Sequence, residues 1–191
     1  MRTKNIILAT FLVLVATLSR TVFHVGPNFE LVTGASVLAG LFIKNKKIAV
    51  LVPLFTMFIT DSIIGNSNIF LFTWSAYALS PFIGSIVRKL RSAKHIVKVV
   101  ALEAGGLISV IFFFLWTNLG VVIVCNMYPK TLDGVISSYI NGLPFIKPQL
   151  VSTIVLLPVL YVATLLISKL AMRLETRLEK KWNVIDRIYV A

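Results

Sequence analysis

Apolar residues gather into six runs separated by short polar stretches, at residues 6–18, 31–43, 48–64, 69–87, 99–117 and 150–167. A bilayer-spanning helix needs about 20 mostly apolar residues. The last four runs come close to that length. The first two are shorter and are extended by weakly polar neighbours, Asn5 and Ser19 around the first and Pro27, Asn28 and Phe29 before the second. The predicted helices are therefore 5–19, 29–43, 48–64, 69–87, 99–117 and 150–168. Between the fifth and sixth the pattern changes. Residues 119–125 are apolar and either prolong the fifth helix or fold along the interface. Pro129-Lys130-Thr131 then reads as a helix start with Thr131 as N-cap. From there Leu132, Val135, Ile136, Tyr139 and Ile140 recur at helical spacing. Asn141-Gly142 should end this short amphipathic helix, and Pro144 and Pro148 should keep the segment after it irregular. The expected fold is all-α, a polytopic membrane bundle of six transmembrane helices in one domain. The stretch 118–149, with its short amphipathic helix, should cap the bundle on the outside.

Composition agrees. The chain of 191 residues is 58% hydrophobic and only 14% charged, against about 25% charged in an average soluble domain. Its net charge of +12 is not that of a nucleic-acid binder, because the basic residues sit in small clusters between apolar runs rather than on one hydrophilic face. With six helices, one side of the membrane receives 16 of the Lys and Arg residues: Arg2 and Lys4, the Lys44 to Lys47 cluster, the group from Arg88 to Lys98, and the tail at 169–191. The other side receives 3, Arg20, Lys130 and Lys147. The positive-inside rule then puts both termini in the cytoplasm. Arg2 and Lys4 before an apolar stretch also fit a signal peptide. Ala16-Thr17-Leu18 offers no small-x-small cleavage site, which favours a retained helix. The basic tail reads as a solvated extension of the last helix against anionic lipid, or as a docking surface. The single cysteine, Cys125, excludes an internal disulfide or a multi-thiolate metal site.

Candidate chemistry lies in the polar residues that a bilayer should exclude. Asp61, inside the third run near its outer end, either pairs with Arg20 as a structural ion or contacts a ligand in an outward-facing cavity. Glu103, near the start of the fifth helix, should be neutralised by Lys98 or Arg88, or else meet a partner subunit. The outer side also gathers Arg20, His24, Asn28, Glu30, Asn66, Asn68, Asn118, Asn126, Tyr128, Asn141 and Gln149, with Trp74 and Trp116 towards the ends of their helices. Both histidines, His24 and His95, fall in predicted loops. No HExxH motif or Walker phosphate loop is present, so an ATPase would have to be a separate chain and an intramembrane enzyme lacks its catalytic pair. In the second run, Ala35-x-x-x-Ala39 and Ser36-x-x-x-Gly40 are small-x-x-x-small pairs that let helices approach closely. They serve packing within the bundle or against another subunit.

Several short motifs together resemble an uncharacterised bacterial membrane family related to the substrate-binding S components of energy-coupling factor (ECF) transporters. They are Pro27-Asn28-Phe29, the run from Gly34 to Gly40, Leu51-Val52-Pro53-Leu54 and Asp61-Ser62-Ile63-Ile64-Gly65, then Phe114-Leu115-Trp116-Thr117-Asn118, Met127-Tyr128-Pro129 and Gly142-Leu143-Pro144-Phe145. The resemblance implies a six-helix protein of the bacterial plasma membrane that captures a vitamin or precursor on the outer face. It would hand the ligand on by docking to a transmembrane coupling subunit driven by two ATPase subunits. In that group docking uses Ala-x-x-x-Ala on the first helix; here the match, Ala35 to Ala39, falls on the second. The His-rich N-terminus of the metal-specific members is absent, and neither a metal nor a cofactor is expected. The expected ligand-binding residues are Asp61, Trp74, Trp116, Asn118, Asn126 and Tyr128, and the expected subunit-packing residues Ala35, Ala39 and Gly40. The alternative is a membrane scaffold or assembly protein with no small-molecule ligand.

Overall fold

The computed structural model describes residues 2–23, 25–65, 68–90 and 94–189, with side chains described from 3 to 179 within them. Among these residues the chain is helical, with no strand. The elements are α1 (Arg2–Thr21), α2 (Val32–Phe42), α3 (Lys46–Ile64), α4 (Phe70–Val87) with a 3-10 turn at Arg88–Leu90, α5 (His95–Val124) and α6 (Leu132–Tyr189). Five of them are long and apolar enough to cross a membrane; α2 is shorter. Much of the outward surface is apolar, with Phe55, Phe58, Leu71, Ile86, Val100, Ile111 and Val159 all exposed. That is far more than a water-soluble chain carries in contiguous patches and is what a lipid-facing surface requires.

Ordinary side-chain periodicity builds the core. Leu8, Leu12 and Ala16, spaced by four, put one face of α1 into it, so the first run is part of the packed bundle. Residues from Val32 to Gly40 are all buried, which makes α2 the centre around which the other helices stand. Its predicted start at residue 29 is corrected to Val32, for a local reason. Leu31 is the N-cap, with non-helical dihedrals and its carbonyl accepting from Ala35 N, and its own amide, without a helical partner at this end, donates to Ser19 Oγ. At the other end Ile43 is extended. Asn45 then caps α3, its side chain accepting from the amides of Lys47 and Ile48.

The small residues of α2 are used inside the chain. Ala35 and Ala39 are buried. A Cβ on Gly40 would lie 1.8 Å from the carbonyl oxygen of Pro81, and one on Gly84 would lie 1.8 Å from that of Val37. Thus α2 and α4 cross with their backbones touching. Ala35 and Ala39 are buried within the chain and Gly40 lies against α4, which fits the packing-within-the-bundle alternative for these residues.

The stretch 118–149 is also corrected. Residues 119–124 prolong α5. Thr131 does act at the start of α6, accepting from Gly134 N. The helix does not stop at Asn141-Gly142, however, and runs through Pro144, Pro148 and Pro158 to Tyr189. Proline removes one helical hydrogen bond, a loss that neighbouring side chains can offset within a membrane bundle. Asn28 Nδ2, from the loop after α1, donates to the carbonyl of Phe145 between Pro144 and Pro148, while the carbonyls those prolines leave without a helical donor are those of Ile140 and Pro144. His95, expected in a loop, is the first residue of α5. His24, Asn66 and the tail side chains from Lys180 onward lie outside the described residues.

Candidate functional site

Asn28 and Glu30 in the loop after α1, Gly65 and Ile69 in that between α3 and α4, and Met127 and Tyr128 in that after α5 come together at one end of the bundle. Lys46 and Lys47, by contrast, start α3, and Arg88 and Lys89 follow α4, at the other ends of those helices. The three described residues with left-handed backbone, Asn28, Gly65 and Asn126, sit one in each of these loops. Asn and Gly are the residues that adopt this conformation most readily, so the turns are written locally into the sequence.

Between these loops and the helix ends lies a cavity of about 600 Å³. Its charged centre is a cluster of three groups drawn from three elements. Arg20, at the end of α1, places Nη2 3.1 Å from Asp61 Oδ1 and Nε 3.4 Å from Glu30 Oε2. Trp74 Nε1, on α4, donates to Asp61 Oδ2 at 2.7 Å, and the Tyr77 hydroxyl donates to Glu30 Oε1. Gln149, buried on α6, donates through Nε2 to Thr33 Oγ1 at 3.3 Å and to the Tyr77 hydroxyl at 3.4 Å. One chain of polar contacts thereby links α1, α2, α3, α4 and α6. Asp61 Oδ1 is buried and accepts no hydrogen bond; its approach to Arg20 is an ion contact without good N–H direction.

Apolar and aromatic side chains complete the walls. The Tyr77 and Phe113 rings stand 4.6 Å apart between centroids, and Phe114, Val121, Met127 and Phe145 continue the lining. On α6, Ser138, Gly142, Phe145 and Gln149 follow at steps of four, three and four. One face of that helix therefore lines the cavity straight across both prolines.

Of the six expected ligand residues, Asp61, Asn118 and Tyr128 line this cavity. Trp74 stands behind Asp61 as its donor. Trp116 and Asn126 are not among the lining residues. The indole of Trp116 is partly exposed on the bundle surface, bonded to Ser75 Oγ and stacked on Phe112, and Asn126 is exposed in its turn. Glu103 is a second correction: its buried carboxylate oxygens accept no hydrogen bond, and Arg88 instead donates to the carbonyl of Ile43. Tyr77, Thr33 and Ser138 belong to the site although the sequence pattern did not single them out. Tyr77 lies at a step of three from Trp74, a spacing that could have placed both on one face.

These placements set an expected contrast. Trp74→Phe removes the hydrogen bond to a buried carboxylate and should cost about 1–3 kcal/mol. Trp116→Phe gives up a partly exposed bond and should cost under about 1 kcal/mol. Thermal midpoints of the two purified variants check this order.

Fold and site together define a helical bundle with five helices long and apolar enough to cross a membrane and a charged, half-open cavity at the end where its Asn28, Gly65 and Tyr128 loops meet. The chain belongs to a family of unknown function, DUF6580, which matches residues 1–175. No curated protein and no solved structure matches it.

Proposed function

We propose that the protein is a substrate-capture subunit of an ECF-type importer, similar to an S component, in the bacterial plasma membrane. In this reading six helices cross, α2 among them, with both termini in the cytoplasm and the cavity facing outward. The captured ligand is a small molecule. Transport is driven through a transmembrane coupling subunit and two ATPase subunits.

The observation that carries the reading is the cavity itself. Ionisable residues within a membrane bundle are costly and mark ligand or ion paths by default. Here three of them surround a space in the 300–1,000 Å³ range of small-molecule sites. The lining has the composition of such sites, apolar and aromatic walls with a few fixed polar groups. The charge asymmetry of the loops supports the orientation.

The test is association. Co-expressed with the coupling and ATPase subunits of its own host, the tagged protein should co-purify with all three in stoichiometric amount. Recovery of the protein alone, under conditions in which an authentic S component of that host brings the module down, would sink the proposal.

A further inference from the structure

We infer that the cavity selects a small organic monocation, a compact ligand whose ammonium or amidinium group is held by Glu30 and Asp61 and whose apolar body lies against Tyr77 and Phe113. The inference rests on the capture reading and names the ligand class for the same site.

Charge is the first support. Among the described lining residues the ionisable side chains with opposite signs are Arg20 on one hand and Glu30 and Asp61 on the other. Two carboxylates against one guanidinium leave one negative charge in excess. Lys130 and Lys147, the other basic residues predicted for this end of the chain, are not part of the lining. An uncompensated charge in a poorly solvated space is strongly unfavourable, and a bound cation removes it.

The second support is local and independent of that count. Asp61 is 8% exposed, and its Oδ1 accepts no hydrogen bond although its other oxygen is held firmly by Trp74. This oxygen is held by its ion contact with Arg20 alone, so the carboxylate lies at the cavity with fewer hydrogen bonds than a buried charge normally has. Arg20 is fully engaged, with Nε on Glu30, Nη2 on Asp61 and Nη1 on the sulfur of Met57, so one guanidinium is divided between two carboxylates. For the same reason a ligand carboxylate or phosphate gains little from Arg20 and meets two like charges beside it.

The walls fit the rest of such a ligand. Aromatic faces attract organic cations through the negative potential above the ring. Tyr77 and Phe113 present adjacent rings next to Glu30, and Phe114 and Phe145 extend the aromatic lining.

Three near-isosteric probes separate charge from shape: benzamidinium, benzamide and benzoate. Each is titrated by calorimetry at neutral pH into the full-length protein in detergent. Benzamidinium should bind at least tenfold more tightly than the other two. Glu30→Gln and Asp61→Asn should each weaken it by tenfold or more while the protein stays monodisperse on gel filtration. The selectivity is read on the unmodified chain, so it decides the matter even where a variant fails to fold. Tighter binding of benzoate, equal binding of all three, or no binding of any overturns the cationic class. Association with the coupling and ATPase subunits is measured separately, so loss of this inference leaves the capture proposal to its own test.

Discussion

Arg20→Gln should be among the most destabilising single substitutions in the chain. The guanidinium is the shared counter-charge of Glu30 and Asp61, both of which are 8% exposed. Removing it leaves two buried carboxylates facing each other. Breaking a buried ion pair by deleting one partner costs about 3–5 kcal/mol, which for a protein of this size corresponds to a fall in thermal midpoint on the order of 10 °C. The companion experiment is more informative. Replacing a whole buried ionic group by neutral residues is often nearly neutral, so Arg20→Gln combined with Glu30→Gln and Asp61→Asn should recover most of the loss. Lys147→Gln, at an exposed site, should shift stability by less than about 0.5 kcal/mol. Detergent-solubilised protein followed by gel filtration after heating reports all three. A triple variant as unstable as Arg20→Gln would show that the cluster holds the fold by specific geometry rather than by charge balance.

The second large effect should come from the crossing of α2 and α4. Gly40→Leu and Gly84→Leu each drive a side chain into a backbone carbonyl, where even a Cβ would stand at 1.8 Å. A flexible side chain could move aside; a helix backbone can do so only by separating the two helices. The cost should therefore exceed the roughly 1–3 kcal/mol of ordinary overpacking, and neither variant should accumulate as a monodisperse species. Gly26→Ala is the control, since nothing lies within 4 Å of a Cβ placed there. Membrane-fraction yield and gel-filtration profile distinguish these outcomes. Normal yield of Gly40→Leu would mean that the two helices can stand further apart than described.

Helix positions were legible because the apolar runs are long and bounded by charge. The runs 48–64 and 69–87 match α3 and α4 within two residues. What failed was local punctuation. Asn141-Gly142 and the two prolines after it read as breaks, yet the face Ser138, Gly142, Phe145 and Gln149 keeps its helical step through them. Periodicity outweighed proline here, and Asn28, more than a hundred residues away in sequence, adds a contact between the two prolines at the carbonyl of Phe145. Nothing local could announce that partner.

The site was half legible for a related reason. Asp61 stood out as a carboxylate within an apolar run, and its pairing with Arg20 was one of the two readings it allowed. Tyr77 and Trp74 look like ordinary membrane aromatics until their polar atoms are seen on Glu30 and Asp61. Trp116 shares their composition and neighbourhood but points the other way. Which aromatic faces inward depends on helix rotation, and nearly uniform hydrophobicity around α4 and α5 leaves that rotation unmarked in sequence.

If the protein captures a ligand as proposed, the brevity of α2 bears on the barrier that ligand must cross. Eleven residues span about 16 Å at 1.5 Å per residue, while the hydrocarbon layer is about 30 Å thick. The remaining depth at the centre of the bundle is taken up by the loop before α2 and by the cavity that Glu30 borders. On the capture reading, a molecule resting beside Glu30 would sit at the end of this short central helix rather than at the end of a full-length span. If the protein passes a ligand on as proposed, the barrier left below Glu30 is the α2–α4 crossing, where the backbones touch at Gly40 and Gly84 and passage requires the two helices to part.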